Sequence, residues 1–177
     1  AADLLRLVRE RGRLMQAAPA GSMAAIIGLD DARLPELEAI GSAAGVFTVA
    51  NRNSPGQVVV SGEVAAVQAA SDAAKGLGAK RAIVLPISIA AHSPLMAAAA
   101  EGMRRAMADV AFRDPIAPLL ANADARPLTT ADDCRGELID HLTRGVDWVR
   151  AVEVMRVSGV DTFIEVGPGK VLTNLIK

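Results

Sequence analysis

The stretch VFTVANRNSPGQVVVS, residues 46–61, decides the fold of this chain. Residues 46–50 and 57–61 are short apolar runs rich in β-branched residues, which is typical of strands. Between them, residues 51–56 are dense in Asn, Ser, Pro and Gly, the residue types that form turns. The stretch therefore predicts two consecutive strands joined by a turn.

Helix signals flank this pair of strands on both sides. Asp30 and Asp31 can cap a helix ahead of the first strand, and Gly78 can end a helix that follows the second. An apolar run lies beyond each helix. The resulting order of strand, helix, strand, strand, helix, strand predicts a ferredoxin-like domain over residues 22–89. Its elements are predicted at residues 23–29, 30–44, 46–50, 57–61, 63–77 and 81–89.

The flanking sequence predicts a second, α/β part of the protein. Residues 1–21 contain an amphipathic helix over 4–16, and residues 90–177 alternate helices with two strands, at 116–121 and 159–166. This alternation is typical of a parallel sheet covered on both faces. Two strands are too few for such a sheet, so we expect its partner strands outside this sequence. The helices after residue 90 are predicted over 94–110, 130–142 and 148–157 and from residue 170.

Charge and composition exclude several classes of protein. A net charge of −1 disfavours nucleic-acid binding, which relies on many contacts from Lys and Arg to phosphates. No apolar run is long enough to span a membrane, so no membrane association is predicted. The single cysteine, Cys134, favours a reducing cytoplasmic setting and cannot build a cysteine-rich zinc site. No metal or other cofactor is predicted; Gly167-Pro168-Gly169-Lys170 lacks the spacing of a phosphate loop.

Three features of the sequence could carry chemistry. His92 follows the last small-domain strand, where a general base or a capping histidine would both fit. Arg11 could clamp a carboxylate, or it could be one of several solvated arginines on its helix. Turn chemistry accounts for Asn51 and Asn53, but it does not require Gln57.

The serines of this sequence do not provide an obvious nucleophile. A G-x-S-x-G elbow is absent, and Ser42 comes closest, in Gly41-Ser42-Ala43-Ala44-Gly45, with both glycines at the wrong offsets.

Five segments together resemble the malonyl-CoA:acyl-carrier-protein transacylases of fatty-acid synthesis. Each segment alone is a weak signal, but their order along essentially all 177 residues is specific. The segments are Arg11-Gly12 with Met15-Gln16; MAAIIGL at 23–29; NRNSPGQVV at 51–59; LPIS at 85–88 with His92-Ser93 and Leu95-Met96; and EVGPGKVL at 165–172.

The resemblance implies an α/β-hydrolase-like large domain with the ferredoxin-like domain inserted. It also implies ping-pong acyl transfer from malonyl-CoA to acyl carrier protein, in which a serine attacks the thioester and a histidine is its base. By position, His92 matches the base and Arg11 the arginine that holds the malonyl carboxylate. Asn51, Asn53 and Gln57 match amides along the cleft for the acyl donor.

The sequence also departs from the family. His141 stands where the family has a glutamine whose backbone carbonyl orients the catalytic histidine, a contact that a changed side chain permits. Ala91 stands where Phe or Ser is frequent, which leaves malonyl selectivity less secure than acyl transfer. The elbow serine and an oxyanion-hole glutamine have no counterpart, so the sequence is expected to begin after them and to end before the family's C-terminus.

Two other functions are compatible with these residues. A non-catalytic binding module could use the ferredoxin-like sheet as RNA-recognition domains do, but residues 46–50 and 57–61 offer only Phe47 for stacking on bases. A serine hydrolase would pass the acyl group to water instead of to a thiol. The anion-binding potential of Arg11 favours the transferase.

Overall fold

The computed structural model describes residues 2–176, which form a mixed α/β structure with seven α-helices and two β-sheets. The helices are α1 (Ala2–Gln16), α2 (Leu34–Ala44), α3 (Val64–Ala74), α4 (Ala97–Ala106), α5 (Ala131–Asp140), α6 (Trp148–Val157) and α7 (Val171–Leu175). The strands are β1 (Ser22–Ile27), β2 (Phe47–Ser54), β3 (Gln57–Gly62), β4 (Arg81–Val84), β5 (Leu119–Leu120), β6 (Pro127–Leu128) and β7 (Val146–Asp147). Short 3₁₀ turns precede α2 and α4, at Asp31–Arg33 and Pro94–Met96.

The larger sheet has the strand order β4-β1-β3-β2-β7. Its first four strands are antiparallel neighbours, and β7 then adds to β2 in the parallel sense. The chain segment that leads into β1 lies beside the segment that follows β4. Ala20 forms a β-bridge with Ile89, and Gly21 donates to the Ser88 carbonyl at 3.0 Å. The region around residues 22–89 is thus entered and left at one place.

The sheet is covered on one face by α2 and α3. Leu37, Ile26 and Val60 are fully buried between these helices and the strands. Full burial of a side chain of this size contributes about 1.5–3 kcal/mol to folding. The opposite face carries a smaller cluster around Met23 and Val59, against which Ala91 packs. A third core, around Met96 and Met103, joins α1, α4 and α5.

Several helix starts follow the capping signals of the sequence. The predicted ends are less accurate: α3 ends at Ala74 because residues 75–78 form a turn, and α4 ends at Ala106 instead of at residue 110. Asp30 accepts from the backbone of Ala32 at 2.9 Å, and Thr130 forms a reciprocal capping box with Asp133 at the start of α5. Asp147 accepts from the Arg150 amide at 2.9 Å and begins α6. The predicted start of α5 and both limits of α6 are therefore confirmed.

The turn predicted over residues 51–56 is shorter than expected. Strand β2 continues to Ser54, so Asn51, Arg52 and Asn53 are strand residues, and only Pro55-Gly56 forms the turn. Two register shifts in β2, at 49–51 and 52–54, accommodate these residues. Pairing on both sides of β2 overrides their preference for turns.

Two strand predictions in the second half of the chain are wrong. Only Leu119–Leu120 of the run 116–121 is a strand, and it pairs antiparallel with β6 instead of joining a parallel sheet. No strand forms within 159–166 in the described chain, and Ile164 and Val166 are 82% and 93% exposed. An apolar run becomes a strand only where a neighbour accepts and donates its backbone hydrogen bonds, and the described residues provide none. Strand β4 likewise ends at Val84, two residues before Pro86.

Among residues 2–176, no helix combines the length and the apolar character needed to cross a bilayer.

Candidate active site

His92 lies in a strained turn directly after the sheet region. Its φ of 59° is left-handed, a conformation that costs a non-glycine residue about 1–3 kcal/mol and that clusters at functional sites. Ser93 follows as the cap of the 3₁₀ turn: its hydroxyl donates to the Ala90 carbonyl at 2.7 Å and accepts from the Leu95 amide at 3.3 Å. These contacts fix the backbone from which the imidazole projects.

The His92 ring is oriented by the carbonyl of His141. Nδ1 lies 2.7 Å from that oxygen, across 49 residues of sequence. A carbonyl oxygen can only accept, so Nδ1 carries the hydrogen and Nε2 of the neutral ring is left with its lone pair free. This is the tautomer that a general base requires.

His141 contributes its side chain to the site as well. The two imidazole rings lie 4.7 Å apart between centroids, with planes tilted by 45°. Burial, followed by the neighbouring charges of His92 and Arg11, lowers the pKa of His141 to about 4. His141 is therefore neutral at pH 7.

Arg11 reaches this pair of histidines from α1. Its positive charge lowers the pKa of both rings. Arg11 is half-buried, and among residues 2–176 no carboxylate perturbs its pKa, which burial alone lowers. Most other arginines of the described chain form ion pairs, such as Arg13 with Glu10 at 2.6 Å. The site therefore has an uncompensated, half-buried guanidinium, which suits an anionic ligand.

The proton affinity of His92 reflects opposing effects. Burial lowers its pKa most, and the Arg11 charge lowers it further, whereas the backbone carbonyls of His141 and Arg144 raise it. The net pKa lies below the usual 6.5, so the imidazole is unprotonated at neutral pH. A neutral ring in this tautomer can accept a proton at Nε2.

Two of the three amide residues, Asn51 and Gln57, lie on the sheet face that points away from α2 and α3. Asn51 pairs with Val59, which lies on that face, whereas Arg52 pairs with Val58 on the helix side and reaches Asp31 at 3.0 Å. Asn53 falls in the register shift between Arg52 and Ser54, where regular alternation does not fix its face. Gln57 alternates with Val58, which packs under the helices, and shares the face of Val59. Ala91, the neighbour of His92, packs on this same face.

The structure thus brings His92, His141 and Arg11 into one cluster. It puts Asn51 and Gln57 on the sheet face next to that cluster, with Gln57 two residue pairs further from it along the β2–β3 ladder than Asn51. Residues 141–147, which we name the α5–β7 segment, connect the two groups: His141 holds His92, and Val146 pairs with Asn51.

Two further residues that support this segment escaped the sequence analysis. Glu137 is only 6% exposed, and its Oε1 accepts from the backbone amide of Asn122 at 2.7 Å and from its side-chain Nδ2 at 3.0 Å. The sequence does contain a sign of this role: Glu137 lies one helical turn before His141, on the inner face of α5.

A separate cavity of about 860 Å³ lies away from the histidines. It is mostly apolar and runs between α6, β5 and the exposed stretch 160–165. Neither His92 nor Arg11 contributes to its lining. Its lining includes Ile164 of the unpaired run, Asn122, and Val146 and Asp147 of the α5–β7 segment.

Comparison with known proteins decides the family. The acyl transferase domain model matches residues 1–177. The chain belongs to the acyl transferase domain family. The malonyl CoA-acyl carrier protein transacylase of Escherichia coli (strain K12) is 44% identical to this chain over 99% of the chain's length. The chain spans 58% of that relative.

Solved structures agree with this assignment. The acyl carrier protein S-malonyltransferase of Vibrio cholerae is 41% identical and superposes with a TM-score of 0.92, covering 96% of this chain and 56% of that one. A malonyl-transacylase in complex with a type II PKS acyl-carrier protein is 38% identical, with a TM-score of 0.89 and coverage of 96% and 56%. The chain thus shares fold and sequence with malonyltransferases over slightly more than half of their length.

Proposed function

We propose that this chain supplies the general base and the carboxylate-binding residues for transfer of a malonyl group from coenzyme A to acyl carrier protein, in fatty-acid synthesis. The contact that carries the proposal is the 2.7 Å hydrogen bond from His92 Nδ1 to the His141 carbonyl, which leaves Nε2 free beside the uncompensated charge of Arg11. The identity to malonyltransferases supports the choice of acyl group.

The chemistry takes place in two half-reactions. A serine hydroxyl attacks the malonyl thioester carbon while His92 Nε2 accepts its proton; the C–S bond then breaks, and the proton leaves with the coenzyme A thiol. In the second half, Nε2 accepts the proton of the carrier-protein thiol as that thiol attacks the malonyl ester. The ester C–O bond then breaks, and the proton goes from Nε2 to the serine oxygen that leaves. The nucleophilic serine is expected outside these 177 residues.

Arg11 gives the site its preference for a charged acyl group. Its guanidinium can donate two parallel hydrogen bonds to the free carboxylate of malonate, and partial burial strengthens that pair. Asn51, Asn53 and Gln57 are proposed to line the approach of the donor's pantetheine arm. Acyl carrier protein is proposed as the acceptor because a related malonyl-transacylase forms a complex with such a protein.

We further infer that residues 22–89 form a ferredoxin-like domain inserted in an α/β-hydrolase-like one made of residues 1–21 and 90–177. The antiparallel order β4-β1-β3-β2 with two helices on one face supports the small domain. The cytoplasmic setting stays a prediction from the single cysteine.

The proposal is tested with His92→Ala in the complete gene product. Formation of the malonyl-enzyme from malonyl-CoA should slow by roughly 10²–10⁴-fold, the usual contribution of a positioned base. Rates equal to wild type would refute the role of His92. Adding an acceptor thiol distinguishes transfer from hydrolysis, because a hydrolase would release free malonate at the same rate with or without the thiol.

A further inference from the structure

Glu137 is the one charged side chain that is buried in residues 2–176. Burying a carboxylate is costly unless its oxygens are hydrogen-bonded. Oε1 of Glu137 accepts two hydrogen bonds that offset this penalty, one from the backbone amide of Asn122 and one from its side-chain Nδ2. No lysine or arginine of the described chain forms an ion pair with it. A buried carboxylate with such specific partners, one helical turn from His141, requires an explanation that packing does not provide.

Asn122 connects Glu137 to the far end of the α5–β7 segment. Its backbone carbonyl accepts from the Asp147 amide at 2.8 Å, and Asp147 in turn begins α6 by accepting from Arg150. The near end of the segment is held by α5, where the His141 amide donates to the Glu137 carbonyl at 2.9 Å. Glu137 thus anchors the segment at its near end by its backbone and at its far end through Asn122.

The same segment provides the carbonyls that hold His92. His141 accepts from Nδ1 at 2.7 Å, and the Arg144 carbonyl also stabilises the protonated ring. We propose that Glu137 is a positioning residue for His92, acting through Asn122 and the α5–β7 segment to keep the His141 carbonyl in line with Nδ1. The inference rests on the proposed function in that it takes His92 to be the base.

The test compares three variants of α5 in the complete gene product. Glu137→Leu removes the acceptor, whereas Glu137→Gln keeps an amide oxygen that can accept both hydrogen bonds of Asn122. Ile139→Ala is the matched control, because it opens a cavity in the apolar core beside the same helix without touching the Asn122 contact. The state of His92 is read from ¹⁵N shifts of its ring, which distinguish the Nδ1–H from the Nε2–H tautomer. The resonance is assigned by its loss in His92→Gln.

With Glu137→Leu we expect His92 to lose its preference for the Nδ1–H tautomer. The kcat of malonyl transfer should fall by about 10–100-fold, the scale known for partners that orient metal-binding histidines, with little change in KM. Glu137→Gln should restore both readouts, and Ile139→Ala should lower stability while leaving the tautomer as in wild type. A wild-type tautomer and kcat in folded Glu137→Leu would overturn the proposal, as would an equal tautomer shift in Ile139→Ala.

A second variant covers the case in which Glu137→Leu does not fold. Asn122→Ala removes only the Nδ2 donor and keeps the backbone one, so a smaller shift in the same direction is expected, and no shift overturns the proposal. The tautomer readout is independent of the proposed reaction. If His92→Ala transfers malonate at the wild-type rate, the proposed function fails, while the ¹⁵N shifts still decide whether Glu137 positions the ring.

Discussion

Replacing Arg11 with alanine should remove the selectivity for acyl groups that carry a free carboxylate. The guanidinium is half-buried and has no carboxylate partner among the described residues, so its hydrogen bonds are available to a ligand. A hydrogen bond to a charged group contributes about 1.5–3 kcal/mol. The kcat/KM for malonyl-CoA should therefore fall by about 10–150-fold, since 1.36 kcal/mol corresponds to a factor of ten. Acetyl-CoA has no carboxylate to lose, so its kcat/KM should hold.

The same substitution should leave a second signature in the pH dependence. The Arg11 charge lowers the pKa of His92, so removing it lets that pKa rise. A base with a higher pKa becomes protonated at higher pH, and the acid limb of kcat/KM should move upward. Arg11→Lys keeps the charge, so it should keep the acid limb near its wild-type position. It should recover only part of the malonyl selectivity, because an ammonium lacks the planar fork.

The assay is kcat/KM for malonyl-CoA and acetyl-CoA across pH 5–8, with wild type, Arg11→Ala and Arg11→Lys in the complete gene product. Arg9→Ala is the matched control, because Arg9 is an exposed residue of the same helix. An equal loss for both thioesters in Arg11→Ala would mean that Arg11 is structural. An unmoved acid limb would show that its charge does not reach His92.

Three further predictions concern stability. The pKa of His141 is about 4 in the folded chain and 6.5 in the unfolded one, so between pH 4 and 6.5 the unfolded state binds more protons. The Tm should therefore fall as the pH drops from 6.5 towards 4. His141→Gln should flatten this decline when followed by calorimetry, and an unchanged slope would contradict the assignment. Residues 22–89 alone should unfold cooperatively on heating, since the core under α2 and α3 lies within them; a gradual, non-cooperative loss of ellipticity would refute this. Thr130→Ala should lower the free energy of unfolding by about 1 kcal/mol in urea titrations, while Thr162→Ala, in an exposed loop, should change it little; equal effects would argue against the capping box.

The starts of α5 and α6 were predictable because their signals are local. Asp147 and Thr130 each accept a hydrogen bond from a backbone amide three residues later. The start of each helix is therefore indicated by a few neighbouring residues. Strands depend on partners that are distant in sequence. Asn51 and Asn53 were predicted in a turn because their types favour turns, but β3 and β7 extend β2 through Asn51 and Arg52. The apolar run 159–166 has the composition of a buried strand, but no neighbouring strand pairs with it in the described chain.

The site was predictable only in part for the same reason. His92 and Arg11 could be named from the motifs around them, and the position of His141 from the family resemblance. The contact between the two imidazole rings spans 49 residues, and only the fold brings them together. The pairing of Glu137 with Asn122 joins a helix to a hairpin and has no sequence pattern of its own.

The parallel pairing of β7 with β2 restricts how the sheet region can move relative to the rest of the chain. The two crossings at Ala20 and Ile89 lie side by side, and two adjacent connections alone would act as a hinge about which the sheet could swing. The pairing of β7 with β2 adds a third attachment, at the edge of the sheet opposite β4 and therefore away from those two connections. Rigid-body opening would therefore require breaking backbone hydrogen bonds beside Asn51. Because β7 belongs to the α5–β7 segment, a displacement of β2 would be transmitted to the carbonyl that orients His92.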